Sequence, residues 1–88
     1  MKTITLDPSN IQTVRALHIY LQYMLDLPAY YGKNLDALHD VLGEIGEDTR
    51  LVLRAQAACG ENESYMPRLI RMLRDAEQEN PHIFIEIA

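Results

Sequence analysis

Apolar residues recur along this chain with two alternating periods, and the alternation lays out its elements in order. Lys2-Thr3-Ile4-Thr5-Leu6 switches between polar and apolar and is rich in β-branched residues, which predicts a short strand. Asp7-Pro8-Ser9-Asn10 is turn chemistry that ends it. From Val14 to Leu25 the period becomes helical. Val14, Leu17, Leu21, Met24 and Leu25 form one stripe, and Arg15 and Gln22 are expected to face water. Ser9 or Thr13 is available as the cap, and Ser9 with Gln12 three residues on resembles a capping box. His18, Tyr20 and Tyr23 are expected at the partly buried edge of the core. Leu27-Pro28 stops the helix, because a residue before proline avoids the α region.

The stretch from Tyr30 to Leu42, YYGKNLDALHDVL, has two faces with different demands. Asn34 is a good N-cap, and Asp36 in the first turn suits the positive end of the helix dipole. Leu35, Leu38, Val41 and Leu42 make an apolar stripe, and the helix is expected to run to about Glu44 or Ile45. Asp36, His39, Asp40 and Gly43 fall largely on the opposite side. Asp36 and Asp40 are four apart, so the two like charges stack one turn above the other and repel. A solvated helix face would explain them; so would a basic partner that relieves the repulsion. One ring of the tyrosine pair is expected to pack beneath the loop, and Tyr31 is expected to be the more buried.

Arg50-Leu51-Val52-Leu53-Arg54 reads as a strand covered on both faces, as in a parallel sheet. Ala55, Ala57 and Ala58 permit a short helical turn, followed by a loop at Gly60-Glu61-Asn62-Glu63. Ser64 as a cap and Pro67 in a first turn predict a last helix. Its stripe is Met66, Leu69, Ile70, Leu73 and Ala76, and it ends near Glu79 before Asn80-Pro81. Ile83 to Ile87 is a final strand with its isoleucines on one face and Phe84 on the other. Helices between strands imply right-handed crossovers. The expected fold is therefore α/β, a three-stranded parallel sheet packed with three to four helices.

Composition narrows the function. The chain has 88 residues, which fits one domain, 1–88. At this mass, folding is expected to reduce the accessible area from about 14,600 Å² to about 5,300 Å². The single Cys59 forbids an internal disulfide, and neither a signal peptide nor a membrane span is evident, so the cytoplasm is the expected setting. A net charge of −5 argues against nucleic-acid binding and fits either a basic partner or no particular partner, since mild acidity also serves solubility. His39 could be drawn with Asp36 and Asp40 as an acid/base or metal cluster. Neighbouring His39 and Asp40 nevertheless diverge by about 100° around a helix. His18 and His82 lack ligand spacing with them, and Cys59 has no evident base. No enzyme activity, metal or cofactor is expected.

YYGKNLDALHDVL resembles the barstar family of intracellular ribonuclease inhibitors. The likeness continues in matching order through Leu17-His18, Leu27-Pro28, Leu51-Val52-Leu53, Arg74-Asp75-Ala76 and the Ile83–Ile87 strand. It implies a barstar-like fold and a plug for the active site of a microbial, secreted-type, guanyl-preferring ribonuclease, bound one to one. The implied contact residues are Tyr30, Tyr31, Gly32, Asn34, Asp36, His39, Asp40 and Gly43, with Asp75 peripheral. Asp40 would stand in for an RNA phosphate and Asp36 would make a second ion pair. Several positions depart from the family pattern. His39 stands where the namesake inhibitor has tryptophan, Gly43-Glu44-Ile45 replaces threonine-glycine-tryptophan, and Arg50 replaces a proline. The Ala55–Glu63 loop is about three residues shorter by alignment with the family pattern. These departures keep open a barstar-like module that regulates another basic protein.

Overall fold

The computed structural model describes all 88 residues. In chain order it contains β1 (Lys2–Leu6), α1 (Val14–Met24), α2 (Leu35–Gly43), β2 (Thr49–Leu53), a 3-10 turn (Ala55–Ala57), α3 (Glu61–Glu79) and β3 (Ile83–Ile87). The strands form one parallel sheet in the order β1-β2-β3, with Ile4 opposite Leu51 and Leu51 opposite Ile85. The accessible area of 5188 Å² is near the roughly 5,300 Å² expected for a folded chain of this mass.

The strand order explains a difference from the expected β2. When successive strands are laid down in one direction by right-handed crossovers, every crossover lies on the same side of the sheet. One face is then covered and the other open. Thr49, Leu51 and Leu53 are buried, whereas Arg50 is exposed and Val52 half-buried, so β2 is not covered on both faces. β3 alternates likewise, with Ile83 and Ile85 inward and Phe84 and Glu86 outward. On the open face Arg50 Nη1 approaches Glu86 Oε1 at 3.6 Å.

The helices bury their stripes against the covered face. Leu17 and Leu21 from α1, Leu38 and Leu42 from α2, and Leu69, Leu73 and Ala76 from α3 join Leu6, Leu51, Leu53, Ile83 and Ile85 in one cluster. Each fully buried leucine contributes about 1.5–3 kcal/mol by leaving water. Thr13, not Ser9, caps α1: its Oγ1 accepts from Ala16 N at 3.1 Å. Ser9 instead donates its N–H to Asp7 Oδ1 at 3.0 Å within the turn. Gln22 is half-buried rather than fully turned to water: its Nε2 donates to the Pro28 carbonyl at 3.0 Å and braces the loop after α1.

The start of α3 also differs from the sequence expectation. Ser64 is not its cap, and Pro67 lies inside the helix. A tertiary knot starts α3 a turn early. Glu61 N donates to Gln12 O at 2.8 Å, and Asn62 Nδ2 donates to Ile11 O and Thr13 O at 2.9 and 3.0 Å. Gly60 has φ +57, and a Cβ there would lie 2.5 Å from Gln12 O, so only glycine fits. Pro67 removes the donor for the Glu63 carbonyl, but both residues are exposed and water can replace it.

Candidate functional site

Helix α2 is held at both ends. At its start, Asn34 Oδ1 accepts from Ala37 N at 2.8 Å and its Nδ2 donates to Gly32 O at 3.2 Å. A cap of this kind is worth about 1 kcal/mol, and here it also fixes the preceding turn. Lys33 has φ +55, a left-handed conformation that costs a side-chain-bearing residue roughly 1–2 kcal/mol. A Cβ on Gly32 would stand 3.2 Å from the Ala37 Cβ, so bare backbone lies close against the first turn of α2. At the other end, buried Asn80 donates from Nδ2 to Leu42 O at 2.8 Å and Ile45 O at 3.0 Å. These bonds satisfy carbonyls that the end of a helix leaves open.

Beneath the loop, Tyr31 turns inward. Its hydroxyl lies 2.5 Å from His18 Nδ1, and His18 Nε2 lies 2.7 Å from the Tyr65 hydroxyl. His18 is completely buried, not partly buried at the core edge as expected. Burial holds its pKa below the ordinary value, so the ring is neutral. A neutral imidazole has one donor and one acceptor, so one tyrosine donates to it and the other accepts from it. Burial also pushes the Tyr31 hydroxyl far above its usual range, with Tyr65 adding to the effect. Tyr65 is raised by burial too, with Arg68 opposing. The cluster joins the loop before α2 to α1 and α3 without any charge.

The outer face of α2 is different. Tyr30 is 79% exposed beside a Tyr31 that is 3% exposed, which bears out the expected asymmetry. Asp36, Asp40 and Gly43 are exposed, and His39 is half-buried. Tyr30, Tyr31, Gly32 and Asp40 line one shallow depression with Glu44. His39, Asp40 and Gly43 line a second with Glu44 and Glu79. Asp36, His39 and Asp75 line a third with Arg68 and Arg71. Asn34 and Asp36 share a fourth with Tyr65 and Arg68. All nine expected residues therefore surround α2. Tyr31 reaches the surface only at an edge, and the Asn34 side chain is already bonded within the chain.

Sequence reasoning missed Glu44, Glu79, Arg68 and Arg71. Glu79 Oε2 bonds His39 Nε2 across the two helices. Arg68, Arg71, Asp75 and Glu79 recur every three or four residues, and that polar stripe could have placed them on the face of α3 that carries Asp75. No three His, Cys, Asp or Glu side chains are arranged to hold a metal. The surface offers instead fixed carboxylates beside an exposed aromatic ring. A helix that cannot reorient presents its charges without further ordering cost on binding.

The site is thus the outer face of a helix braced at both ends, carried on a parallel sheet with one open face. The model of the family described as "Barstar (barnase inhibitor)" matches residues 1–87, and the chain belongs to the barstar family. This is a family of inhibitor proteins rather than enzymes. The chain is also 33% identical over 84 residues to a Bacillus subtilis (strain 168) protein named "Putative ribonuclease inhibitor YrdF", covering 90% of this chain and 89% of that protein.

Proposed function

We propose that this protein binds a secreted-type, guanyl-preferring microbial ribonuclease one to one and blocks its active site with α2 and the preceding loop. The observation that carries the reading is the exposed Asp40 carboxylate beside exposed Tyr30, on a helix fixed at both ends. A ribonuclease binds an RNA phosphate with arginine, lysine and histidine. Asp40 fits the phosphate position and takes charge-assisted hydrogen bonds from those groups. Asp36 and Asp75 make further ion pairs at the edge, His39 and Gly43 lie against the cleft wall, and Tyr30 is the aromatic anchor. The net charge of −5 speeds approach to a cationic cleft. The setting in this reading is the cytoplasm of a cell that makes the ribonuclease, where the inhibitor confers immunity.

The test is titration of the protein into an RNA-cleavage assay with such ribonucleases, in parallel with Asp40→Ala. Loss of a hot-spot carboxylate is expected to cost about 2–4 kcal/mol, roughly 30- to 1,000-fold in Kd. Equal inhibition by wild type and variant overturns the phosphate-mimic role. A second reading is a barstar-family module that regulates another basic protein. The His39–Glu79 contact favours it, because that contact ties down the ring where the namesake inhibitor has tryptophan. Failure to inhibit any such ribonuclease would leave this second reading in place.

A further inference from the structure

The acidic surface around α2 also carries positive charge, from Lys33 in the preceding loop and from a pair of arginines on α3. Arg68 and Arg71 on α3 line the same depression as Asp36, His39 and Asp75. Both arginines are exposed, and neither takes part in an ion pair. The next arginine on the helix behaves differently: Arg74 Nη1 donates to Ile85 O at 3.1 Å and approaches Glu77 at 3.2 Å. The guanidinium carbon of Arg68 lies 5.4 Å from the centre of the Tyr65 ring. Tyr65 is in turn fixed by its bond to His18. The surface therefore has two lobes. One holds Asp40, Glu44 and Glu79; the other holds two guanidinium groups outside any ion pair, one of them over the Tyr65 ring, beside Asp36 and Asp75.

Positive charges beside a carboxylate plug oppose docking to a partner that is cationic throughout, because like charges facing each other cost several kcal/mol. An arginine fork suits a carboxylate better than any other common group. We propose that Arg68 and Arg71 select the partner, by pairing with a carboxylate on the rim of its cationic cleft, on the side that meets the start of α2. The inference rests on the ribonuclease reading and specifies which ribonucleases fit: those with a cationic centre and an acidic rim. Arg68 and Arg71 are specificity residues, whereas Asp40 supplies the shared affinity for the catalytic centre.

A simpler role for the arginines is to damp repulsion between Asp36 and Asp75, and the sign of the effect separates the two. The probe is the secreted ribonuclease that the wild-type protein inhibits most tightly, with binding measured for Arg68→Gln/Arg71→Gln and Arg68→Glu/Arg71→Glu. Pairing with a carboxylate is expected to weaken binding about 10-fold for the glutamine pair and about 100-fold for the glutamate pair. Melting temperatures should stay within about 4 °C of wild type. Lysine placed at the partner's rim carboxylate should restore binding of the glutamate pair. Equal or tighter binding by the glutamine pair overturns the proposal while leaving ribonuclease inhibition intact. Absence of any inhibited ribonuclease overturns both.

Discussion

His18 and His39 sit on neighbouring helices, and each has an oxygen partner on α3, yet they belong to opposite kinds of region. His18 is sealed beneath the loop with two tyrosine hydroxyls, and its burial keeps it neutral. His39 is half-buried at the surface, with Glu79 as partner and Asp36, Asp40 and Asp75 around it. The buried cluster is uncharged and both ring nitrogens of His18 are bonded, so it specifies where the loop goes. The outer groove is charged and open, so its energy is realised only when a partner excludes water. Tyr31 and Tyr30 repeat the contrast within one dipeptide. Changes beneath the loop should therefore act on stability, and changes in the groove on binding.

The strongest attempt to break that division is His18→Ala. It leaves a cavity and strands two buried hydroxyls, so denaturant unfolding should show a loss of more than about 3 kcal/mol. A loss under 1 kcal/mol would mean that the cluster does not organise the core. Tyr31→Phe removes a single hydroxyl and leaves one His18 nitrogen unpaired, at an expected cost of about 1–3 kcal/mol. Tyr30→Phe in the same assay should change stability by less than ~0.5 kcal/mol. Similar losses for the two tyrosines would erase the distinction between the faces.

Acid titration tests the neutrality of His18. The unfolded chain takes up the proton near the ordinary value of 6.5, while the folded chain resists until a lower pH. The unfolded state thus binds more protons in that window, and stability must fall as pH drops below about 6.5 and level off below the folded pKa. Asp7 acts separately. A backbone N–H from Ser9 holds its carboxyl below the ordinary 3.8, so its contribution is lost only at lower pH. A His18→Phe variant should lack the upper decline and keep the lower one. A small effect on stability is also expected of Glu79→Gln, which removes the charge facing His39. Exposed pairs of this kind contribute about 0–1 kcal/mol, so its melting temperature should barely move while partner binding changes.

The elements themselves were legible where the signal is short-range. β1, β3, the Asn34 cap, the α2 stripe and the end of α3 at Asn80 follow from periods and caps that act over a few residues. The outward placement of Asp36 and Asp40 was legible for the same reason. His18 was misjudged because its neighbours in the helix do not reveal that Tyr31 and Tyr65 will close over it. The start of α3 was misplaced because Gly60, Glu61 and Asn62 answer to Gln12, Ile11 and Thr13, not to their own neighbours.

By itself the sequence determined which face of each helix is apolar, where α2 begins and which carboxylates it displays. Steric and capping preferences decide these within a turn of helix. Only the tertiary structure decided that one face of the sheet stays open, that Asn80 closes α2 from 38 residues away and that His18 bonds Tyr65 across 47. It also decided that Arg68 and Arg71 stand beside Asp36. Such pairings depend on how elements distant in the chain come to lie against one another, and no local period encodes that.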